Sequence, residues 1–217
     1  MLDPISLPQA PPELRGQRVV LRDRKPSDID DRLAFPIVAE DEDMFGGSWR
    51  REWRGESRHT RERLEALAAE PAPPGYVEWA VDYTGRCIGW AGLRIDSGNH
   101  RASYTVGIFD LMLRGRGLGR EITALVVEWA FHELGLHRVE LEVLTSNTPA
   151  IRCYEAVGFR HEGVRRDVEL YPDGWRDFLS MGLLDTDPRP RPPIAHRTNS
   201  PRAMSRLPSK SSTGSSS

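Results

Sequence analysis

The 217-residue sequence is short of several things, and each shortage excludes a class of protein. It has two cysteines, Cys87 and Cys153, too few for a disulfide framework and in keeping with a reduced, cytoplasmic setting. Lysine is nearly missing: Lys25 and Lys210 stand against 28 arginines, a skew that reflects genome base composition rather than 28 separate functions. No apolar run is long enough to span a bilayer, and mean hydropathy is −0.52. The opening residues, MLDPISLPQAPPELRG, lack a basic stretch followed by an apolar one, so no secretory signal is expected. Net charge is almost absent too. Thirty basic against 32 acidic residues leave −2, which gives no global case for nucleic acid or anionic membrane. The six histidines are scattered without ligand spacing, so no metal is expected.

What is present is unevenly spread. Residues 186–217 hold six prolines and eight serines and lack Val, Phe, Tyr and Trp. Their charge is +5, from six basic residues against Asp187 alone, and the preceding 185 residues carry −7. So few apolar groups cannot offset ordering entropy, and the segment is expected to be a disordered basic tail. Residues 1–16, with four prolines, read as a flexible arm, leaving a folded domain over 17–185.

Within that domain strands and helices mix. Arg18–Arg22 (RVVLR) is a short strand, and Ser27 precedes Asp28 and Asp30 at the start of a short helix that Pro36 limits. Glu56–Glu70 is helical, with Leu64 and Leu67 on one side and Pro71 as its stop. Gly75–Asp82 and Arg86–Arg94 form a hairpin around Thr84-Gly85, and Ser97-Gly98-Asn99 turns into the strand Arg101–Phe109. A helix then carries Leu118, Ile122, Leu125, Val126 and Trp129 at helical spacing and stops at Gly135. His137–Leu144 alternates as a strand. Asn147-Thr148-Pro149 opens a helix that Gly158 ends, and Arg160–Leu170 and Trp175–Leu184 flank the turn Tyr171-Pro172-Asp173-Gly174.

The segment Arg114–Arg120 (RGRGLGR) follows a strand and opens a helix. Unpaired N–H groups, the positive end of the macrodipole and glycine's small size all suit phosphate there, and Arg114, Arg116 and Arg120 add charge. A P-loop would need Lys-Ser or Lys-Thr after the last glycine, where Arg120-Glu121 stands. A dinucleotide fingerprint would need G-x-G-x-x-G, where the spacing is G-x-G-x-G.

The loop Arg114-Gly115-Arg116-Gly117-Leu118-Gly119 resembles the pyrophosphate loop of the GNAT superfamily of acetyl-CoA-dependent N-acetyltransferases. Asn147, Thr148, Pro149, Ala150, Cys153, Tyr154, Gly158 and Phe159 resemble that family's second element. RVVLR and the YPDGW turn look like the branch of ribosomal-protein N-terminal acetyltransferases, and the resemblance covers about residues 17–184. It implies an α/β fold with a central mixed, mostly antiparallel sheet of about seven strands, splayed between the fourth and fifth, and about four helices. Acetyl-CoA would be the co-substrate. Arg114, Gly115, Arg116, Gly117, Leu118, Gly119 and Arg120 would hold its pyrophosphate, main-chain groups of Ile108, Phe109 and Asp110 its pantetheine arm, and Asn147 would bond it nearby. Tyr154 would give a proton to the leaving thiolate.

The chemistry asks for the same parts. An amine with a lysine-like pKa of about 10.4 must lose a proton before it attacks a thioester, and a phenol of pKa about 10 can protonate a thiolate whose acid is near 8.5. Glu142, on one face of HRVELEVL with Glu140, is the preferred base, with Glu140, Glu78, Asp110 or an ordered water as alternatives. Cys153 is not read as a nucleophile, since nothing sets a Cys–His geometry. The segment Met44–Arg54 (MFGGSWRREWR) is either a substrate loop or an amphipathic cover. The sequence thus points to acetyl transfer onto a primary amine by a monomer or homodimer, without membrane or nucleic acid. An acyl-CoA sensor on the same fold and a nucleotide-binding enzyme are the rival readings.

Overall fold

The computed structural model describes residues 5–35, 60–171 and 173–190. The Met44–Arg54 segment and the tail from residue 191 lie outside them. The chain begins with β1 (Leu14–Arg15) and β2 (Val19–Arg22), an antiparallel pair closed by Gly16 N–H donating to Val19 O at 2.9 Å. Helix α1 (Asp28–Ala34) carries Asp28, Asp30 and Asp31 in its first turn, where the macrodipole favours acids. In α2 (Arg61–Ala69) the Thr60 side chain accepts from Arg63 N–H, a helix cap. Next, β3 (Tyr76–Tyr83) and β4 (Arg86–Asp96) form a hairpin whose turn residues Thr84 and Gly85 have φ of 53° and 86°. Positive φ at both positions matches the right-handed twist of the strands they join.

Then come β5 (Arg101–Ile108), α3 (Leu118–His132), β6 (Arg138–Leu144), α4 (Thr148–Val157), β7 (Arg160–Tyr171) and β8 (Gly174–Leu184). The eight strands make one sheet in the order β1-β2-β3-β4-β5-β6-β8-β7. Every neighbouring pair is antiparallel except β5 and β6. A parallel neighbour needs a crossover, and α3 supplies it. Its residues Leu118, Ile122, Leu125, Val126 and Trp129 are all buried against the sheet, and the Trp129 ring meets Trp79 edge-on at 5.1 Å. The architecture is the mixed, mostly antiparallel sheet with four described helices that the resemblance implied.

Both domain limits move outward. Leu14 and Arg15, placed by composition in a loose arm, pair with Leu21 and Val20 and add an eighth strand. Leu14 is 1% exposed, and Trp79 Nε1 donates to Pro12 O at 2.7 Å. One well-placed leucine outweighs the prolines around it. At the other end Asp187 accepts from Leu184 N–H, and Arg189 reaches Glu128 of α3 at 2.5 Å. Those two side chains are 4% and 3% exposed, so the ion pair is buried, with His132 on the other oxygen at 2.8 Å. The Arg189 guanidinium also lies 4.6 Å from the Phe131 ring.

Breaking a buried pair leaves an uncompensated charge, so Arg189→Met should cost about 3 kcal/mol of unfolding free energy in urea, the low end of the usual range because His132 remains. A loss below about 1 kcal/mol would place Arg189 outside the cooperative unit.

Candidate functional site

The site follows from how β5 and β6 meet. They share three register pairs, Arg101–Arg138, Ala102–Val139 and Ser103–Glu140, and then part. From Tyr104 to Ile108, β5 pairs with β4 alone, so its other edge faces a cleft. Tyr104, Val106 and Ile108 line the cleft from β5, and Leu141 and Val143 from β6; Gly117, Gly119, Arg120, Asn147 and Tyr154 also line it.

Two helices start at this cleft and are capped differently there. At α4 the Asn147 side-chain oxygen accepts from Ala150 N–H at 3.2 Å, so this helix caps itself and keeps the Asn147 amide NH₂ as a donor. At α3 the cap position is Gly117, in the left-handed region (φ 79°, ψ 4°), with no side chain to accept a hydrogen bond. Gly115 likewise sits at φ 72°. The first-turn amides of Leu118, Gly119 and Arg120 therefore keep no capping partner and suit an anion. Arg116 and Arg120 are exposed beside them.

Arg114 lines the cleft and also braces the loop. Its Nε and Nη2 donate to Ile108 O at 3.1 and 2.8 Å, tying the loop to the end of β5. Phe109 N–H donates to Ile88 O at 2.8 Å, and the Phe109 ring lies 4.3 Å from the Arg32 guanidinium and 6.4 Å from Phe35. Asp110 accepts from Met112 N–H and caps a short 3₁₀ turn. The end of β5 is thus largely engaged, and its open edge lies one step upstream, at residues 104–107.

Tyr154 projects from α4 onto the Tyr104 ring (6.4 Å) and the Phe159 ring (5.9 Å). Burial, with a smaller contribution from Cys153, holds its phenol protonated well above the ordinary tyrosine range. Beneath it Thr123 donates to Gly119 O at 2.8 Å, and Tyr104 OH lies 3.1 Å from the Thr123 hydroxyl. The carboxylates are less free than the sequence suggests. Glu142 pairs with Arg165, Glu140 with Arg138 and Arg101, and Glu78 with Arg24 and the Tyr76 hydroxyl. Of these, Glu142 is well exposed, at 43% of its side chain. Arg18, which sequence reading passed over, donates to Arg116 O at 2.7 Å. Among the described residues no group of three His, Cys, Asp or Glu could hold a metal, and no helix is long and apolar enough to cross a membrane.

Residues 18–160 match the family model described as an acetyltransferase (GNAT) domain. The chain belongs to that family. It is 34% identical over 103 residues to the probable N-acetyltransferase YjcK of Bacillus subtilis (strain 168), a match covering 47% of this chain and 57% of that protein. The matched region thus spans little more than half of that relative's length. A GCN5-related N-acetyltransferase from Brucella melitensis superposes with TM-score 0.65 at 25% identity, covering 84% of this chain and 82% of that one. The spermidine N-acetyltransferase from Vibrio cholerae, solved in complex with CoA and spermine, superposes with TM-score 0.64 at 20% identity, over 78% and 97%. That last likeness is one of fold.

Desolvation pushes the Cys153 thiol up to about 11 against opposing pulls from Thr123 and Arg120, and burial with Asp28 pushes Cys87 up to about 11. Both stay as neutral thiols at neutral pH, which fits neither being a nucleophile. Iodoacetamide should therefore label the folded protein slowly at pH 7.5 and faster as pH rises toward 11. Rapid stoichiometric labelling at neutral pH would contradict the placement of both side chains.

Proposed function

We propose that the chain is an acetyl-CoA-dependent N-acetyltransferase acting on a primary amine, either a protein N-terminus or a small-molecule amine. The observation that carries this reading is the parting of β5 from β6 directly in front of an uncapped helix start. An extended thioester arm can lie along the open β5 edge while its pyrophosphate meets the amides at α3. Family membership supports the same reading, and the Vibrio fold neighbour was itself solved with CoA.

In this reading acetyl-CoA supplies the electrophilic thioester carbon, and the chain's residues hold and steer it. Main-chain amides from Arg116 through Leu118 and Gly119 to Arg120 bind the pyrophosphate, with Gly115 and Gly117 giving the loop its shape. Arg114 secures the loop through Ile108, while Phe109 and Asp110 fix the turn beyond. Asn147 donates its amide NH₂ to the arm, and an open β5 N–H polarises the acetyl carbonyl. Glu142 takes the amine proton through water, because its carboxylate already holds Arg165. As the C–N bond forms and the C–S bond breaks, Tyr154 gives its phenol proton to the sulfur and recovers one from solvent. Burial raises the affinity of that sulfur for a proton as well, just as it raises the Cys153 thiol to about 11, so a desolvated phenol can serve as the acid. The RVVLR and YPDGW segments resemble the ribosomal-protein N-terminal branch, which keeps a protein N-terminus among the acceptors.

Purified protein should release free thiol from acetyl-CoA with at least one member of a panel of peptides, polyamines and aminoglycosides. Tyr154→Phe should lower kcat about a hundredfold while the KM for acetyl-CoA changes less than about threefold. No thiol release and no acetyl-CoA binding by calorimetry would overturn the proposal. Binding without turnover would make the chain an acyl-CoA sensor.

A further inference from the structure

A phosphate-binding helix start is a poor place for a carboxylate, yet Glu121 occupies the first turn of α3. In isolation an acid there gains from the macrodipole, but it also competes with any anion for the same field. The structure draws this charge away from the loop. One Glu121 oxygen accepts from the backbone N–H groups of Arg18 at 2.8 Å and Val19 at 3.4 Å, and the other accepts from Arg18 Nε at 2.8 Å. The Glu121 side chain is only 11% exposed.

The receiving turn is shaped for it. A Cβ on Gly16 would lie 2.3 Å from the Glu121 oxygen, so only glycine lets the carboxylate reach these amides. The same Arg18 guanidinium continues past the pair and donates from Nη1 to Arg116 O at 2.7 Å. Across a trans peptide the carbonyl of Arg116 and the N–H of Gly117 point in opposite directions. Holding that carbonyl on Arg18 therefore turns the Gly117 N–H to the opposite side of the loop. One arginine, about a hundred residues upstream in the chain, neutralises the misplaced acid and fixes the orientation of a loop peptide.

We propose that Gly16, Arg18 and Glu121 form a clamp between the β1–β2 turn and the glycine loop, in which Arg18 is a positioning residue for the pyrophosphate of CoA. The proposal rests on the acetyl-CoA reading above and adds a part of the chain, the N-terminal turn, that lies outside the loop itself. Without Arg18 the loop has one untethered carbonyl and one uncompensated negative charge beside the ligand's phosphates.

Calorimetric titration of CoA into the full chain tests this, with pantetheine, which has no phosphate, as the comparison ligand and thermal melting as the check on folding. Arg18→Ala should weaken CoA binding on the order of tenfold, the scale of a nearby unpaired charge, and leave pantetheine binding unchanged. The double variant Arg18→Ala with Glu121→Gln should bind CoA more tightly than Arg18→Ala alone, because the repelling charge is gone. Should Arg18→Ala melt below the assay temperature, Arg18→Lys, which keeps the charge but loses the fork to Arg116 O, should still show weakened CoA binding with pantetheine unaffected. Undiminished CoA binding in both single variants, or an equal loss for CoA and pantetheine, would overturn the clamp. A double variant no tighter than Arg18→Ala would overturn the charge-cancelling role. Absence of CoA binding by the unaltered protein would overturn the acetyl-CoA reading, and the clamp with it.

Discussion

Strands β5 and β6 are parallel neighbours joined through the crossover helix α3, and they share only three register pairs before they part. Antiparallel neighbours in this sheet stay together along most of their length, as β4 and β5 do from Gly89–Ile108 to Asp96–Arg101. Where the parallel pair separates, backbone donors and acceptors on one edge of β5 lose their partners, and such groups are costly to leave unsatisfied in a closed interior. The molecule answers by keeping the gap as a cleft. The start of α3 follows the end of β5 and the start of α4 follows the end of β6, and because those strands are parallel both helix starts lie at the same side of the sheet, beside the open strand edge.

The two helix starts divide the polar work between them. Asn147 closes α4 with its own side chain, and the glycine at the start of α3 leaves the amides open. Electrostatics follow the same division. Four acids around the cleft and the loop are answered by arginines, Glu142 by Arg165, Glu140 by Arg138 and Arg101, Glu78 by Arg24, and Glu121 by Arg18. Among the described residues Arg116 and Arg120 pair with no carboxylate and stand exposed at the loop, so positive charge lies where the macrodipole already favours an anion.

Much of this was legible in the residues because it is local. The alternation of HRVELEVL, the cap at Asn147, the Thr84-Gly85 turn and the glycine spacing of RGRGLGR each depend on neighbours within a few positions, and each forms the element its pattern predicts. The features that composition obscured are pairings across the chain. Leu14 gains its strand from Leu21 and its burial from the core, Arg189 from Glu128, and Arg18 from Glu121 and Arg116. Arg114 is instructive in the other direction. Its position in the loop suggested a ligand contact, and it also bonds Ile108 O, a tie that depends on where the end of β5 falls in three dimensions. Among so many arginines, sequence spacing does not separate the ones that pair internally from the ones that face outward.

Amide chemical shifts during a CoA titration test the central claim directly, since they report position by position where the ligand lies. The account predicts shifts in the amides of Arg116–Arg120 and of residues 104–108, with the distal β7–β8 hairpin unmoved. Saturable binding with shifts confined to β7, β8 or α2, and none at the loop, would contradict it.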